Sequence, residues 1–290
     1  MKKLSDKNKA SSRVIKQLKK NRRVKFALFI LLIIIGSAIF APYISPYEPQ
    51  AMDLSSSLEG PSKSHWLGTD KMGRDILSRI IYGSRVSLMV GIVAVGISGI
   101  IGIFLGSIAG YFGKWIDGVI MRLVDILLAF PSILLAISLV AVLGASIFNV
   151  MLAIGAVSWV GYARLIRGEF LSLKNKEFVS AAEALGAKTH KIIFKHMLPN
   201  AIAPVIVMAT LGMAGAIITE SSLSFLGLGV QPPTASWGQM LSKGRTIIRE
   251  AWWVSTFPGI AIMITVLSFN ILGDGLRDAL DPNMNNYEQR

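Results

Sequence analysis

The chain has 290 residues, of which 52% are hydrophobic and only 16% charged, and its mean hydropathy is +0.56. Soluble domains carry about 25% charged residues, so this composition excludes an ordinary soluble domain and predicts that much of the surface faces lipid. The chain contains no cysteine, which excludes disulfides and thiolate metal sites.

The formal net charge of +13 is concentrated at the N-terminus, where eleven of the thirty Lys and Arg residues fall within residues 1–25. A basic segment directly before a long apolar run is typical of a cytosolic tail attracted to anionic lipid headgroups. A cleavable signal peptide would have a shorter apolar run that ends in a small-residue cleavage site. We therefore predict that residues 1–25 are a basic cytosolic tail and that the apolar run after them is a membrane anchor.

Four charge-free runs are each long enough to cross a bilayer, which takes about 20 apolar residues in a helix. A fifth run, 126–163, has no charged residue and is too long for one crossing. Its turn-tolerant residues cluster at Gly144, Ser146 and Asn149, so two spans are expected there. The sequence thus predicts an all-α integral membrane protein with six spans: TM1 at 26–44, TM2 at 86–112, TM3 at 119–143, TM4 at 149–168, TM5 at 199–220 and TM6 at 251–273.

Part of the segment after TM5 is also free of charge, but its adjacent Pro232 and Pro233 block a helix interior. Because unpaired backbone in lipid is costly, we interpret this segment as an outer loop. With the N-terminus inside, twenty-two of the thirty basic residues fall on the inner side, in accord with the positive-inside rule. The prediction places both termini in the cytosol, with inner segments 1–25, 169–198 and 274–290 and outer loops 45–85 and 221–250.

Small residues repeat along one face of TM2. Gly102, Gly106 and Gly110 recur at four-residue spacing, a pattern that lets two helix backbones approach closely within a bilayer. Glycine is also common in membrane helices generally. The pattern favours tight helix packing and carries no information about a substrate.

The inner loop contains a short helical pattern. Phe178, Ala181, Ala182 and Leu185 recur at three- and four-residue spacing, and Gly186 then breaks the pattern. A small apolar face on the cytosolic side either lies on the membrane or docks into a groove of a partner protein. The pattern alone leaves both possibilities open.

The outer loop after TM1 contains His65, Asp70 and Asp75 within eleven residues. A metal site is one reading, but a single His with two carboxylates and no second His is more typical of a structural cluster. Thr69 or Asp70 can cap a helix, and the glycines supply turns. We predict no metal site here.

The inner loop resembles the cytosolic "EAA" loop of ABC importer permeases. That pattern has Glu-Ala-Ala, a Gly four residues after the second Ala, and Leu-Pro at the next span. Ala181, Ala182, Gly186, Leu198 and Pro199 fall on these positions.

The chain departs from the general pattern at Ser180 and His196, and both departures resemble the branch that serves dipeptides, oligopeptides and nickel. Further segments at 65–75, 224–233 and 270–282 resemble the same branch, specifically its "C"-type permease subunit. The resemblance covers nearly the whole chain after the basic tail.

The resemblance implies a type I ABC importer permease in a bacterial cell membrane. It implies a heterodimer with a second permease, two separate ATP-binding subunits and an extracytoplasmic solute-binding protein. The chain itself would carry no cofactor, because ATP and Mg²⁺ are bound by the partner subunits. The loop helix would sit in a cleft of the ATPase and transmit its closure to the spans; the coupling residues would be Glu177, Ser180, Ala181, Ala182, Glu183, Leu185, Gly186, Ala187 and Pro199.

The outer loops have two interpretations. Their residues either meet the binding protein at the outer gate or form a folded cap over that gate. The candidate residues are Asp70, Gly73, Arg74, Asp75, Gly229 and Trp237.

Two other classes of protein compete with this reading. An enzyme is disfavoured because the chain has no phosphate-binding loop and no zinc or nucleophile spacing, so we expect a non-catalytic subunit. A secondary transporter or channel usually carries ionisable groups at mid-membrane. Here Arg122 and Asp125 are expected to pair near the cytosolic end of TM3, and Glu220 ends TM5 on the outer side. No charged residue therefore lies at the centre of a predicted span, which favours an importer driven by ATP.

The substrate is predicted to be a di- or oligopeptide, with nickel or a metal chelate as the alternative. The three histidines all lie outside the predicted spans, which tilts the reading toward peptides. Ser132, Ser138 and Thr210 are candidates for a polar pathway, although lone hydroxyls in spans more often bond their own helix backbone.

Overall fold

The computed structural model describes residues 17, 18 and 20–280. Most of the predicted basic tail and the end of the predicted tail 274–290 therefore lie outside the described residues. Within the described part, all regular elements are helical. In chain order they are α1 (Arg22–Ile39), α2 (Ala41–Ile44), α3 (Ile76–Phe112), α4 (Lys114–Leu128), α5 (Ser132–Leu143), α6 (Ile147–Lys174), α7 (Glu177–Ala184), α8 (Thr189–Lys191), α9 (Leu198–Phe225), α10 (Trp237–Gly244) and α11 (Trp253–Leu280), with a π-helical turn at Ile192–Met197 and 3₁₀ turns at Leu54–Ser56 and Arg245–Ile247.

The all-α membrane fold predicted from the sequence is confirmed. In the described residues, α3, α6, α11 and a continuous helix Thr189–Phe225 are long and apolar enough to cross a membrane, and the bent pair α4–α5 raises the number to five if it counts as one span. The helix α1 is 18 residues long and begins with three basic residues within its first turn, Arg22, Arg23 and Lys25. The count of six spans stays a prediction.

Two helices are longer than a membrane crossing. The helix α3 and the continuous helix Thr189–Phe225 each have 37 residues, about 55 Å at 1.5 Å per residue, against a hydrocarbon core of roughly 30 Å. The start of α3 therefore reaches into the predicted outer loop 45–85, and the start of the other helix lies in the predicted inner loop. Each helix therefore joins part of a predicted loop to a membrane-spanning segment without a break.

The region predicted as one span at 119–143 is formed by two helices. The helix α4 ends at Leu128 and α5 begins at Ser132, and their axes differ by 88°. Pro131 lies at the bend; proline has no N–H to continue the helical bonding and disfavours a helical residue before it. A second turn, at Gly144 (φ +92°), separates α5 from α6, which is capped by Ser146.

The glycine repeat of α3 packs directly against α6, which confirms the close helix contact that the pattern favoured. A Cβ added to Gly106 would lie 2.5 Å from the Ala163 carbonyl oxygen, and one on Gly110 would lie 2.6 Å from the Phe170 Cβ. A Cβ added to Gly102 would lie closer still to the Tyr162 Cβ. Because these three glycines have no side chain, α3 and α6 can pack closely at the centre of the bundle.

The two ends of the described chain lie at the same end of the bundle. Val24 of α1 fills the space beside Gly275 of α11, and Arg277 lines a cavity together with Ala203 near the start of α9. At the opposite end of α11, the Trp253 indole donates to the Thr69 carbonyl oxygen at 3.1 Å. The segments 45–75 and 226–250 therefore lie at the other end of the bundle, and we call them together the outer cap.

Candidate functional site

The predicted coupling segment forms a short helix, α7, that is attached to its own chain. Val179 and Ala182 are buried against Ile192, Ile193 and Met197, in a cluster that also holds residues of α6 and α9. The burial of one side of α7 fixes its orientation relative to the bundle.

The exposed side of α7 differs from the predicted apolar face. The sequence pattern placed Phe178, Ala181, Ala182 and Leu185 on one face, but Ala182 is only 8% exposed because it points with Val179 into the protein. Phe178 is 37% exposed and Leu185 is 87% exposed, and Ala181 is exposed between them. The surface open to a partner is therefore Phe178, Ala181 and Leu185, which we call the coupling face.

The helix α7 ends in a glycine cap. Gly186 has φ +70°, a left-handed conformation that glycine adopts without steric cost. The Ala187 N–H donates to the Ala182 carbonyl oxygen at 3.0 Å, and the Gly186 N–H donates to the Glu183 carbonyl oxygen at 2.9 Å. This hydrogen-bond pair is the Schellman motif, and it turns the chain so that Ala187 packs back on the buried cluster.

Two non-helical residues, Ala187 and Lys188, separate the cap from the helix that continues into the membrane. A π-helical turn at Ile192–Met197 continues into α9, and the Leu198 N–H donates to the Ile193 carbonyl oxygen. The wider π turn lies directly before Pro199, whose ring clashes with the carbonyl of residue i−4 in a regular α-helix. Packed side chains and this short connection therefore link α7 to α9.

The remaining predicted coupling residues differ in their exposure. Glu177, Ser180, Glu183 and Pro199 are exposed, and Ala187 is half-buried.

At the outer end, the predicted site residues are buried in the cap. The Asp70 carboxylate accepts hydrogen bonds from Arg74 Nε at 2.8 Å and from Arg74 Nη2 at 2.6 Å. Asp75 caps α3 by accepting from the Ser78 N–H at 2.8 Å, and its other carboxylate oxygen lies 3.0 Å from His65 Nδ1. These contacts account for the His65, Asp70 and Asp75 cluster as a structural one.

Arg79 joins the two halves of the cap, and Trp237 attaches the second half to α3. Arg79 is 1% exposed and donates to the Pro49 carbonyl oxygen at 3.1 Å and to Gln239 Oε1 at 3.4 Å. The buried Trp237 donates from its indole to the Ile80 carbonyl oxygen at 2.9 Å. Asp70, Arg74, Asp75 and Trp237 therefore organise a folded cap in this conformation and present little surface to a partner.

The two predicted cap glycines are tightly surrounded. A Cβ on Gly73 would overlap the backbone of Asp53, and one on Gly229 would overlap Ser224. Nearby, Lys243 lies beside Arg74 and Arg79, and partial burial together with these positive neighbours lowers the pKa of its ammonium group. The cap thus holds three cations around the carboxylate of Asp70.

The predicted pair of Arg122 with Asp125 is absent from the ion pairs of the described residues, and both side chains are exposed. Earlier in α4, Asp117 accepts two hydrogen bonds from Arg167 of α6, at 2.5 and 2.6 Å. A partner on a neighbouring helix, which sequence spacing does not show, is therefore what fixes the start of α4.

A trough between α3, α6 and α9 was not found by sequence reasoning. It has a volume of about 430 Å³, and its polar lining comes from Ser98, Ser158, Tyr162 and Thr219. The hydroxyls of Ser138 and Thr210 bond their own helix backbone at 2.9 Å each, and so do two hydroxyls of the trough, Ser98 at 2.9 Å and Thr219 at 2.8 Å. No sequence signal separated the two groups, because each is a lone hydroxyl in an apolar run.

Comparison with known proteins shows the family to which this chain belongs. Residues 102–286 match the family described as binding-protein-dependent transport system inner membrane component. Residues 11–61 match the N-terminal transmembrane domain of oligopeptide transport permease C. The chain belongs to the inner-membrane permeases of binding-protein-dependent ABC importers. The predicted branch and the membrane location are confirmed.

Relatives of this permease cover most of its length. It is 52% identical to a dipeptide transport system permease of Alkalihalophilus pseudofirmus, over 93% of this chain and 88% of the relative. It is 46% identical to a di/tripeptide transport permease of Pseudomonas aeruginosa, over 92% of this chain and 90% of the relative. It is also 46% identical to a glutathione transport permease of Pectobacterium atrosepticum, over 92% of this chain and 89% of the relative.

A solved structure supports the fold of the permease. The MetNI methionine ABC transporter, in inward-facing conformations, matches 70% of this chain and 97% of the matched chain, with a TM-score of 0.57 and 17% sequence identity.

Proposed function

We propose that this permease imports dipeptides or short oligopeptides, which an extracytoplasmic binding protein delivers and separate ATPases drive across the membrane. The substrate class is supported by the relatives, which share 46–52% identity over nearly the whole chain and are named for dipeptides, di/tripeptides and glutathione. Nickel, the alternative substrate of the branch, has no such support among them.

The exposure of the coupling face supports the proposal that the ATPases act through α7. Leu185, at the C-cap of α7, is 87% exposed while the opposite side of the helix is buried, so a large apolar side chain is open to a partner. Small and apolar residues at i, i+3 and i+7 are the pattern by which a helix docks in a groove.

Charge favours a protein groove over the membrane surface as the partner of α7. Between Glu177 and Ala184 the helix has two acidic residues, Glu177 and Glu183, and no basic one. Anionic headgroups repel such a helix, whereas helices that lie on membranes are rich in Lys and Arg. We therefore assign the coupling face to the ATPase.

The route from α7 to the membrane follows from the packing. Closure of the ATPases would displace α7, and the buried contacts of Val179 and Ala182 with Ile192 and Ile193 would pass the displacement to α9. Since α9 also lines the trough, ATP binding and the shape of the trough would change together.

Uptake measurements test the proposed substrate. In a strain lacking this permease, complementation should restore uptake of radiolabelled dialanine, and radiolabelled nickel should enter no faster than in the deletion strain. A partner ATPase without its catalytic activity should abolish the restored uptake. Restored nickel uptake without dialanine uptake would overturn the peptide assignment, and uptake that persists without ATP hydrolysis would favour a secondary transporter.

A further inference from the structure

The trough between α3, α6 and α9 continues toward the inner end of the bundle. Its lower part is a second cavity of about 500 Å³ that shares Met208 and Leu211 with the first and is lined at its end by Ala203 and Arg277. From Ala203 to Thr219 the shared helix α9 rises about 24 Å at 1.5 Å per residue, most of the roughly 30 Å hydrocarbon core. The trough therefore has the length of a passage across the membrane.

The upper part of the trough has hydroxyls and small residues but, among its described lining residues, no charged side chain. The Ser98 and Thr219 hydroxyls donate to carbonyl oxygens of their own helices, at 2.9 Å to Ala94 and 2.8 Å to Gly215, so toward a ligand each can act as a hydrogen-bond acceptor. The Tyr162 hydroxyl lies 3.4 Å from the Met208 carbonyl oxygen, a long contact that a stronger partner could replace.

Glycines keep this space open. A Cβ on Gly212 would lie 2.7 Å from the Tyr162 hydroxyl oxygen, whereas one on Gly215, which also lines the trough, would meet no atom within 4 Å. The first glycine makes room for the hydroxyl, and the second leaves the trough wide.

We propose that the upper trough is a binding site for the peptide main chain, with Ser98, Ser158, Tyr162 and Thr219 as its hydrogen-bonding groups. Neutral hydroxyls can pair with peptide N–H and C=O groups of any sequence, and unlike charged walls they do not hold one end of a zwitterion tightly. The small residues Gly215 and Ala216 leave space for side chains that vary. This inference rests on the proposed peptide import and adds the residues that would recognise the peptide.

Cysteine labelling tests the site directly, because the natural chain has no cysteine. We expect Ser158→Cys, in the complete reconstituted complex, to react with a water-soluble thiol reagent and to react several-fold more slowly when dialanine is present. Free alanine, which has no peptide bond, should protect poorly. Ser138→Cys on α5, outside the trough, should show no protection. An unreactive Ser158→Cys, or equal protection by alanine, would overturn the proposal.

A blocking substitution tests the same site through transport. Gly215→Leu adds a large side chain that has no neighbour to displace at its Cβ, so the complex should still assemble while dialanine uptake falls at least tenfold. Gly96→Leu is the matched control: its Cβ also meets no atom within 4 Å, and it lies in an exposed apolar stripe with Ile92 and Ile100. Unchanged uptake by Gly215→Leu would contradict the site.

The outcomes separate the two proposals. If the native complex transports dialanine but Ser158→Cys is unprotected and Gly215→Leu transports normally, peptide import stands and the trough assignment fails. If the native complex transports no peptide, the proposed function fails and the trough assignment fails with it.

Discussion

Gly106 of α3 and Ala163 of α6 are so close that a Cβ on the glycine would lie 2.5 Å from the alanine carbonyl oxygen. We expect Gly106→Val to force the two central helices apart and to cost on the order of 1–3 kcal/mol, as overpacking in a core does. Thermal unfolding of the purified permease in detergent would measure the loss as a lower Tm.

Gly99 provides the control for that substitution. It lies on the same helix, and a Cβ there would meet no atom within 4 Å. Gly99→Val should therefore change the Tm much less than Gly106→Val. Equal losses would mean that the cost comes from the helix propensity of valine and not from the contact with α6.

Gly186 should be required for coupling more than for folding. Its φ of +70° costs other L-residues about 1–2 kcal/mol, but no atom lies within 4 Å of an added Cβ. We expect Gly186→Val to reach the membrane at a normal level while ATP-driven uptake falls, because the end of α7 unwinds. Gly186→Asn should keep most of the uptake, since Asn tolerates this conformation. Normal uptake by Gly186→Val would count against the coupling role.

Leu185 should dominate the contact with the ATPase. Buried apolar anchors at the centre of an interface contribute about 2 kcal/mol or more, so Leu185→Asp should weaken co-purification of the ATPase at least tenfold. Leu226→Asp is a matched control, because Leu226 is also exposed but lies in the outer cap. Retained ATPase binding by Leu185→Asp would remove the coupling face from consideration.

The sequence predicted the elements that depend on local composition. The order of residues along the chain is enough to show the long apolar runs and the resemblance of the inner loop. It also indicates the close packing at Gly102, Gly106 and Gly110. The bend between α4 and α5 was missed because a charge-free run gives the length of a segment but not its direction. Pro131 was the available signal, and it lies at that bend.

The orientation of α7 could not be predicted because both of its faces have small or apolar residues. Val179 with Ala182 and Phe178 with Ala181 fit helical spacing equally well. Packing against Ile192 and Ile193 decides which pair is buried. The trough was not predictable either, because its hydroxyls come from three helices that are distant in sequence and meet only through tertiary packing.

The outer cap should depend on Trp253. Its indole donates to the Thr69 carbonyl oxygen at 3.1 Å, so Trp253→Phe keeps most of the packing and removes one partly buried hydrogen bond, at a cost of about 0.5–1.5 kcal/mol. Limited proteolysis within residues 45–75 should become faster. Trp252→Phe, at an exposed neighbouring position, should leave the rate unchanged; equal acceleration by both would show that this bond does not hold the cap.

Lys243 should make the stability of the permease depend on pH. Partial burial and the charges of Arg74 and Arg79 lower its pKa, so the folded state loses this proton more readily than the unfolded state. Stability rises with pH wherever the unfolded state binds more protons, and native permease should therefore gain stability as Lys243 discharges at alkaline pH. The gain should stay below about 1 kcal/mol because the side chain is only partly buried and water still screens its charge.

Two substitutions isolate the contribution of Lys243 to that pH dependence. Lys243→Met removes the charge at every pH, so its Tm advantage over the native permease should be largest at neutral pH and shrink as the pH rises. Lys243→Arg stays charged, so it should fall behind the native permease only at alkaline pH. Other titrating groups are shared and cancel in these differences. Differences that do not vary with pH would show that Lys243 contributes through packing, because a charge beside Arg74 and Arg79 must disappear when the lysine is deprotonated.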